Sequence, residues 1–250
     1  PDDISYEKGA VKKMDAFGLE VVKYTFPENI SDREFKAAFR EINENPDVDG
    51  ILVLRPLPEQ IVQEDIDRMI HPLKDLDGIS PVNIAKVFSG DNTGFAPCTA
   101  EAVMDILRLN DIPVAGRRAV IVGRSMVVGR PLAMLFLQEN ATVTVCHTRT
   151  VDLPEICRSA QILVAAAGCA KMVDRTYVGE GAIVVDVGIN VDENGHLCGD
   201  VDFEDIREQA SMATPVPGGI GSVTTAVLAK RLVNAALAQA RAERETNAGL

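Results

Sequence analysis

Two hydrophobic periods divide this chain. From Gly116 onward, Ala119–Val122, Thr142–Val145, Ile162–Ala165 and Ala182–Val185 are short, almost continuous apolar runs, the pattern of parallel strands buried on both faces. A helix-length segment and a glycine-containing crossover separate the first two. This alternation predicts a doubly wound α/β domain. The first hundred residues carry a weaker mixture. Ala10, Met14 and Phe17 recur at helical spacing ahead of Gly18, a natural residue for ending a helix. Leu19–Tyr24 reads as a strand, and Ser31 with Glu34 forms a capping box that opens a helix whose apolar stripe is Phe35, Phe39 and Ile42. Gly50–Leu54 is a further apolar run ending at Pro56-Leu57-Pro58, followed by a polar helical stretch from Glu64 to Ile70. Thr224 to about Glu243, rich in Ala and Leu, predicts a long final helix.

Composition narrows the class. The 250 residues are 46% hydrophobic and 25% charged, and no apolar run approaches the roughly 18 residues of a membrane span. With 25 basic against 37 acidic residues the formal charge is −12, which argues against a nucleic-acid partner in the absence of a segregated basic patch. Five scattered cysteines without a C-x-x-C pair fit a reduced, cytoplasmic setting. The three histidines lack metal-ligand spacing, so no metal is assigned. The opening residues carry no secretory signal, and a chain starting at Pro1 rather than Met is expected to lack an N-terminal segment.

Four stretches carry candidate chemistry. Val122-Gly123-Arg124-Ser125, followed by Gly129, is a relative of the dinucleotide fingerprint, with Ser125 in place of the middle glycine. Gly123 permits the tight turn, Gly129 permits close helix–strand packing, and the helix N-terminus suits a phosphate; the alternative is an ordinary βα turn. The second strand ends in Cys146-His147-Thr148-Arg149 without the carboxylate that an NAD site commonly places there. Arg124 with Thr148 or Arg149 suits a 2′-phosphate, favouring NADP, against the alternative of solvated loop cations. Thr214–Gly221 concentrates prolines and glycines before a helix, which suits either a planar ligand against bare backbone or a rigid interdomain turn. Lys74-Asp75-Leu76-Asp77-Gly78 by composition reads as a solvated turn in preference to a ligand site.

Together these stretches, with Pro97-Cys98-Thr99, Asp186–Asn190 and Gly199–Asp202, resemble in content and order the bifunctional methylenetetrahydrofolate dehydrogenase/methenyltetrahydrofolate cyclohydrolase family of one-carbon metabolism. The resemblance implies a folate-binding αβ catalytic domain over 1–104 and 224–250, a Rossmann-type domain over 105–223, and a last helix packing back on the first domain. It also implies a homodimer acting on tetrahydrofolate derivatives in a cleft between the domains. Tyr6 would stack on the folate and Asp77 would bond its pterin, with Val53, Leu54, Arg55, Pro217, Gly218 and Gly219 lining the same site. Gly123, Arg124, Ser125, Thr148, Arg149 and Ile189 would contact NADP.

Two catalytic positions depart from the family pattern. The Lys four residues after the Tyr is Ala10, and the Gln of Val-Gln-Leu-Pro-Leu-Pro is Leu54. Hydride transfer needs alignment rather than a base, whereas cyclohydrolysis needs water and proton movement. The expectation is therefore a dehydrogenase with weak or absent cyclohydrolase activity. Two alternatives stay open: a full bifunctional enzyme with Lys13, on the same helical face as Ala10, as the replacement base, and a non-catalytic folate- or dinucleotide-binding protein. Arg55 is too basic to accept a proton at neutral pH. Ser222 stands where many members of the family have Pro.

Overall fold

The computed structural model describes residue 9 and residues 11–247. The chain divides into two compact units. One takes the chain up to Lys86, Asn92–Phe95 and the chain from Thr225 onward; the other takes Val87–Asp91 and Ala96–Thr224.

In the second unit, strands β1 (Arg118–Val122), β2 (Thr142–Cys146), β3 (Ile162–Ala165), β4 (Ile183–Asp186) and a short edge strand at Met212–Ala213 form one parallel sheet. Its order, β2-β1-β3-β4-edge, carries the chain outward in both directions from β1 and β3, the doubly wound arrangement the apolar runs predict. β3 and β4 are buried along their whole length and β1 after its first residue. Each fully buried Val, Leu or Ile there contributes about 1.5–3 kcal/mol. Val120, Val122, Leu163, Ala165 and Val184 share one core with Cys146, Cys157 and Ile206. A two-residue antiparallel pair, Asn190–Val191 with Leu197–Cys198, lies outside the main sheet. Helix Cys98–Leu109 belongs to this unit from its first residue. It packs against the helix Gly129–Gln138, and Arg108 meets Glu139 at 2.7 Å beside their C-terminal ends.

The first unit is built on helix Asp32–Glu44. Ser31 Oγ accepts the Glu34 N–H at 3.3 Å and the Glu34 carboxylate accepts the Ser31 N–H at 3.2 Å, the reciprocal cap that the sequence predicts. Phe35 packs edge-on to Phe26 with ring centroids 5.2 Å apart and stacks on Phe39 at 6.3 Å, forming a core with Ile51, Ile61, Ile66 and Ile70. The final helix, Ile220–Asn247, from Thr225 onward packs within the first unit. There the buried Arg231 donates to the Leu76 carbonyl at 2.9 Å with its guanidinium 5.4 Å from the Phe95 ring centroid. A Cβ at Gly50 would come within 2.8 Å of Leu232 Cδ1, so glycine there lets the helix approach.

Three expectations need correction in this unit. Leu19–Tyr24 is not a strand: it pairs with nothing among the described residues, and Val22 is 63% exposed. Gly50–Leu54 contributes only a single parallel bridge, Ile51 to Asp75. In the first helix, helical over residues 11–16, Met14 is buried but Phe17 is exposed, because the chain has already turned at Gly18 with φ +72°. No described helix is long and apolar enough to cross a membrane.

Candidate functional site

In the second unit, every candidate residue follows the C-terminal end of a parallel strand. β1 ends at Val122, beside Cys146 of β2 and Ala165 of β3. Gly123 then turns with φ +135°, its N–H donating to the Cys146 carbonyl at 2.9 Å. A Cβ at Gly123 would stand 2.1 Å from the Ala166 carbonyl oxygen, and one at Gly129 would stand 2.1 Å from that of Gly123. Both glycines are therefore required by close backbone approach. Ser125 Oγ accepts the Val128 N–H at 3.1 Å, so the residue in the middle-glycine position ties the turn. The helix beginning at Gly129 receives no side-chain cap; the Arg130 N–H donates to the Ser125 carbonyl at 3.1 Å and the Leu132 N–H to the Val128 carbonyl at 2.9 Å, so what this end offers an anion is the positive end of the helix dipole rather than a row of open N–H groups.

The register between β1 and β2 brings Arg124 near the loop carrying Thr148 and Arg149. That loop is shaped by His147, whose N–H donates to Thr150 Oγ1 at 2.8 Å and whose Nδ1 accepts the Arg149 N–H at 3.1 Å. Arg124 and Arg149 are exposed, and neither has an ion-pair partner among the described residues. Tight glycines, an uncapped helix and two unpaired guanidiniums fit a dinucleotide phosphate. Ile189, 64% exposed, follows β4. Pro217, Gly218 and Gly219 follow the edge strand; Gly218 has φ +104°, and a Cβ at Gly219 would stand 2.5 Å from the Pro215 carbonyl oxygen.

Beneath these loops lie two buried carboxylates. Asp200 is 0% exposed and accepts N–H groups from Ala167 (2.6 Å), Gly168 (3.0 Å) and Cys169 (2.8 Å), plus the Asn190 side-chain amide (2.9 Å). One side chain thus joins the loops after β3 and β4. Asp186 accepts N–H groups from Gly188, Asp200 and Val201 at 2.9–3.0 Å, and its own N–H donates to Thr214 Oγ1 at 2.8 Å. Burial pushes the Asp186 carboxyl above its ordinary value, with its three N–H donors pulling the other way.

In the first unit the Ile51–Asp75 bridge is parallel, so Val53–Arg55 and Asp77 leave it in the same direction. Leu54 is 40% exposed. Val53 packs against the phenylalanine core. Arg55 is ion-paired with Asp67, its Nε buried without a hydrogen-bond partner among the described residues. Asp77 is half-buried beside Gly78, which has φ +62°. Asp75 is buried and accepts from the Ile79 and Ser80 N–H groups at 3.0 and 2.8 Å and from the Asn83 amide at 2.8 Å. Lys74, also buried, donates to the Asn43 and Asn45 carbonyls at 3.0 and 2.6 Å. It caps the C-terminus of helix Asp32–Glu44 with a cation, and burial holds its pKa below the usual lysine value. The Lys74–Gly78 stretch is a buried structural knot rather than a solvated turn. Lys13 is exposed on the first helix, while Tyr6 and Ala10 lie outside the described residues.

Family models match both halves of the chain. The tetrahydrofolate dehydrogenase/cyclohydrolase catalytic domain matches residues 1–77 and the NAD(P)-binding domain of the same family matches residues 97–240. The chain belongs to the tetrahydrofolate dehydrogenase/cyclohydrolase family. The Bifunctional protein FolD of Clostridium kluyveri is 52% identical over 233 residues, covering 93% of this chain and 82% of that protein. The bifunctional FolD of Campylobacter jejuni is similar at a TM-score of 0.93 and 41% identity, over 96% of this chain and 85% of that one. FolD of Trypanosoma brucei, whose structure is a complex with NADP cofactor and inhibitor, gives a TM-score of 0.90 at 34% identity, over 96% and 84% of the two chains.

Asp186 and Asp200 lie in family motifs whose roles the sequence alone leaves open. Their work is to fix loops rather than to touch a ligand. The signal was present in Gly188 and Gly199: a Cβ at either would lie within 2.4 Å of the Asp200 or Asp186 carboxylate.

Proposed function

We propose that this chain oxidises 5,10-methylenetetrahydrofolate to 5,10-methenyltetrahydrofolate with NADP, and that it hydrolyses the product weakly or not at all. The chain is an NADP-dependent dehydrogenase of its family. The loss of hydrolysis is carried by one observation: Ala10 and Leu54 stand at the family's Lys and Gln positions, while the Gly123–Gly129 turn is intact.

The chemistry separates the two steps. Oxidation breaks one C–H bond of the methylene bridge; its electron pair leaves with the hydrogen, and the two flanking nitrogens delocalise the resulting cation. NADP, when bound, supplies the hydride acceptor. The chain's contribution to this step is orientation. Asp77 is assigned to the pterin and Tyr6 to stacking, with Pro217–Gly219 presenting backbone to the same ligand. Arg124, with Thr148 or Arg149, is assigned to the 2′-phosphate, and Gly123, Ser125 and Ile189 to the remainder of the dinucleotide. Hydrolysis instead adds water to the cation, and protons must leave that water and reach a ring nitrogen. A positioned acid–base group accelerates such steps by roughly 10²–10⁴-fold. Neither a methyl group at Ala10 nor an isobutyl group at Leu54 can carry a proton.

The bifunctional names of relatives such as that of Clostridium kluyveri favour a second reading, in which Lys13 serves as the base. A cytoplasmic homodimer completes the proposal, supported by the family resemblance and by five cysteines free of disulfides.

The test is an assay of purified protein with methylenetetrahydrofolate and NADP or NAD, following reduced nicotinamide and the methenyl chromophore separately. Equal accumulation of both, faster with NADP, is expected. Methenyl product lagging behind reduced nicotinamide would favour the bifunctional reading, and no turnover would leave only a binding protein.

A further inference from the structure

The end of the sheet opposite the Gly123 turn carries a cluster of cations. A depression of about 240 Å³ lies before the N-terminal ends of β1, β3 and β4, lined by Arg117, Arg118, Arg158, Gln161 and the Gly179–Ala182 segment, Glu180 included. At about 3.3 Å per residue, the five residues of β1 separate it from the dinucleotide turn by roughly 17 Å. We propose that this depression is a separate anion site that takes a small phosphoryl-bearing ligand.

The donor set supports that chemistry. Arg118 Nε donates to the Ser159 carbonyl at 2.8 Å and Arg158 Nη1 to the Thr176 carbonyl at 2.6 Å. Each is anchored by a neutral acceptor, so its positive charge is left unneutralised. Arg117 makes no side-chain hydrogen bond or ion pair among the described residues, and none of the three arginines has a carboxylate within ion-pair distance there. Gln161 uses its amide oxygen on the Arg118 N–H at 3.1 Å, which turns its amide N–H2 into the remaining donor. Three guanidiniums against the single carboxylate of Glu180 leave a local charge of +2 (3 − 1) in a chain whose net charge is −12. Unpaired arginines presenting planar forks are the preferred partners of phosphate oxygens.

The shape is built rather than incidental. A Cβ at Gly179 would stand 2.4 Å from the Arg158 carbonyl oxygen, and Gly181 has φ +70°. The glycine at 179 lets the segment before β4 approach the C-terminal end of the helix Leu153–Arg158, which precedes β3. The volume lies below the roughly 300–1,000 Å³ of sites for drug-sized ligands. It suits inorganic phosphate, pyrophosphate or the phosphate end of a nucleotide.

The test uses the full chain saturated with NADP, so that the Gly123 turn is occupied, and titrates inorganic pyrophosphate while amide NMR signals are followed. Saturable shifts at residues 158–161 and 179–182 are expected. Arg117→Gln, which removes no side-chain hydrogen bond or ion pair among the described residues, should weaken binding roughly tenfold and leave dehydrogenase turnover unchanged; Arg158→Lys should weaken it through loss of the fork. ADP binding as tightly as pyrophosphate would mark the phosphoryl group alone as what is read, and ADP binding more tightly would mark a nucleotide as the source. Shifts confined to residues 123–129, shifts reproduced by sodium chloride at equal ionic strength, or an Arg117→Gln chain binding as well as the unmodified one would each overturn the proposal.

Discussion

Arg124 stands exposed beside the Gly123 turn with no ion-pair partner among the described residues, so its charge is available to a ligand rather than to the fold. Arg124→Ala is expected to weaken NADP by about 1.5–3 kcal/mol, the worth of a charge-assisted bond, and to leave NAD nearly unchanged. KM values for both dinucleotides check this, and equal losses would remove the 2′-phosphate from the account. Ala10 and Leu54 are the opposite case, positions where the proposed function has the chemistry missing. Ala10→Lys alone adds an ammonium without an orienting partner, so the combined variant with Leu54→Gln should raise methenyl hydrolysis by more than the product of the single effects. A double-variant cycle on the hydrolysis rate measures that coupling. At this scale the sequence exposes cations and missing groups well, because they are identities. It hides Asp200, whose N–H donors lie 31–33 positions away along the chain; only the folded sheet brings them together.

The elements differ in how far their pattern reveals them. β1, β3 and β4 coincide closely with their apolar runs because burial on both faces leaves few polar positions within them; β2 is also where its run predicts, but it is not buried on both faces, since it lies at the sheet edge with only Cys146 buried. Helix Asp32–Glu44 is legible from its capping box, which the structure reproduces in both directions. Leu19–Tyr24 has strand composition yet no strand, since a strand requires a partner and none lies among the described residues. The two-residue pairs at Asn190–Val191 and Leu197–Cys198 are too short to impose any period. What these elements share near the candidate site is the Asp200 tie between the loops after β3 and β4. Asp200→Asn presents an N–H2 group to N–H donors in place of an oxygen. The expected loss is about 1–3 kcal/mol of stability, measured by denaturant unfolding, with a raised KM for NADP if those loops carry the dinucleotide. Unchanged values for both would show that the loops hold themselves.

For the molecule as a whole, two units and a net charge of −12 set the response to pH. Most of its carboxylates are at the surface, but Asp186 is buried and its pKa is raised above the ordinary 3.8. As pH falls, the folded chain therefore takes up this proton before the unfolded chain does. That contribution favours the folded state fully below 3.8 and is lost as pH rises through the folded value. Relative to Asp186→Asn, the unmodified chain should accordingly gain stability as pH drops across that window; a constant difference between the two unfolding free energies would contradict the assignment. The division of labour between the units bears on function in the same way. The second unit carries the tight glycine turn and unpaired cations that suit a dinucleotide, while Ala10 and Leu54 fall in the stretch that matches the catalytic-domain model, so on the proposed reading one activity survives without the other. The most direct measurement is the first-order decay of supplied methenyltetrahydrofolate with the unmodified protein, set against the decay without it. The account predicts rates close to the uncatalysed one in a preparation that is fully active as a dehydrogenase; decay far above it would contradict the claim that hydrolysis was lost with the Lys and Gln.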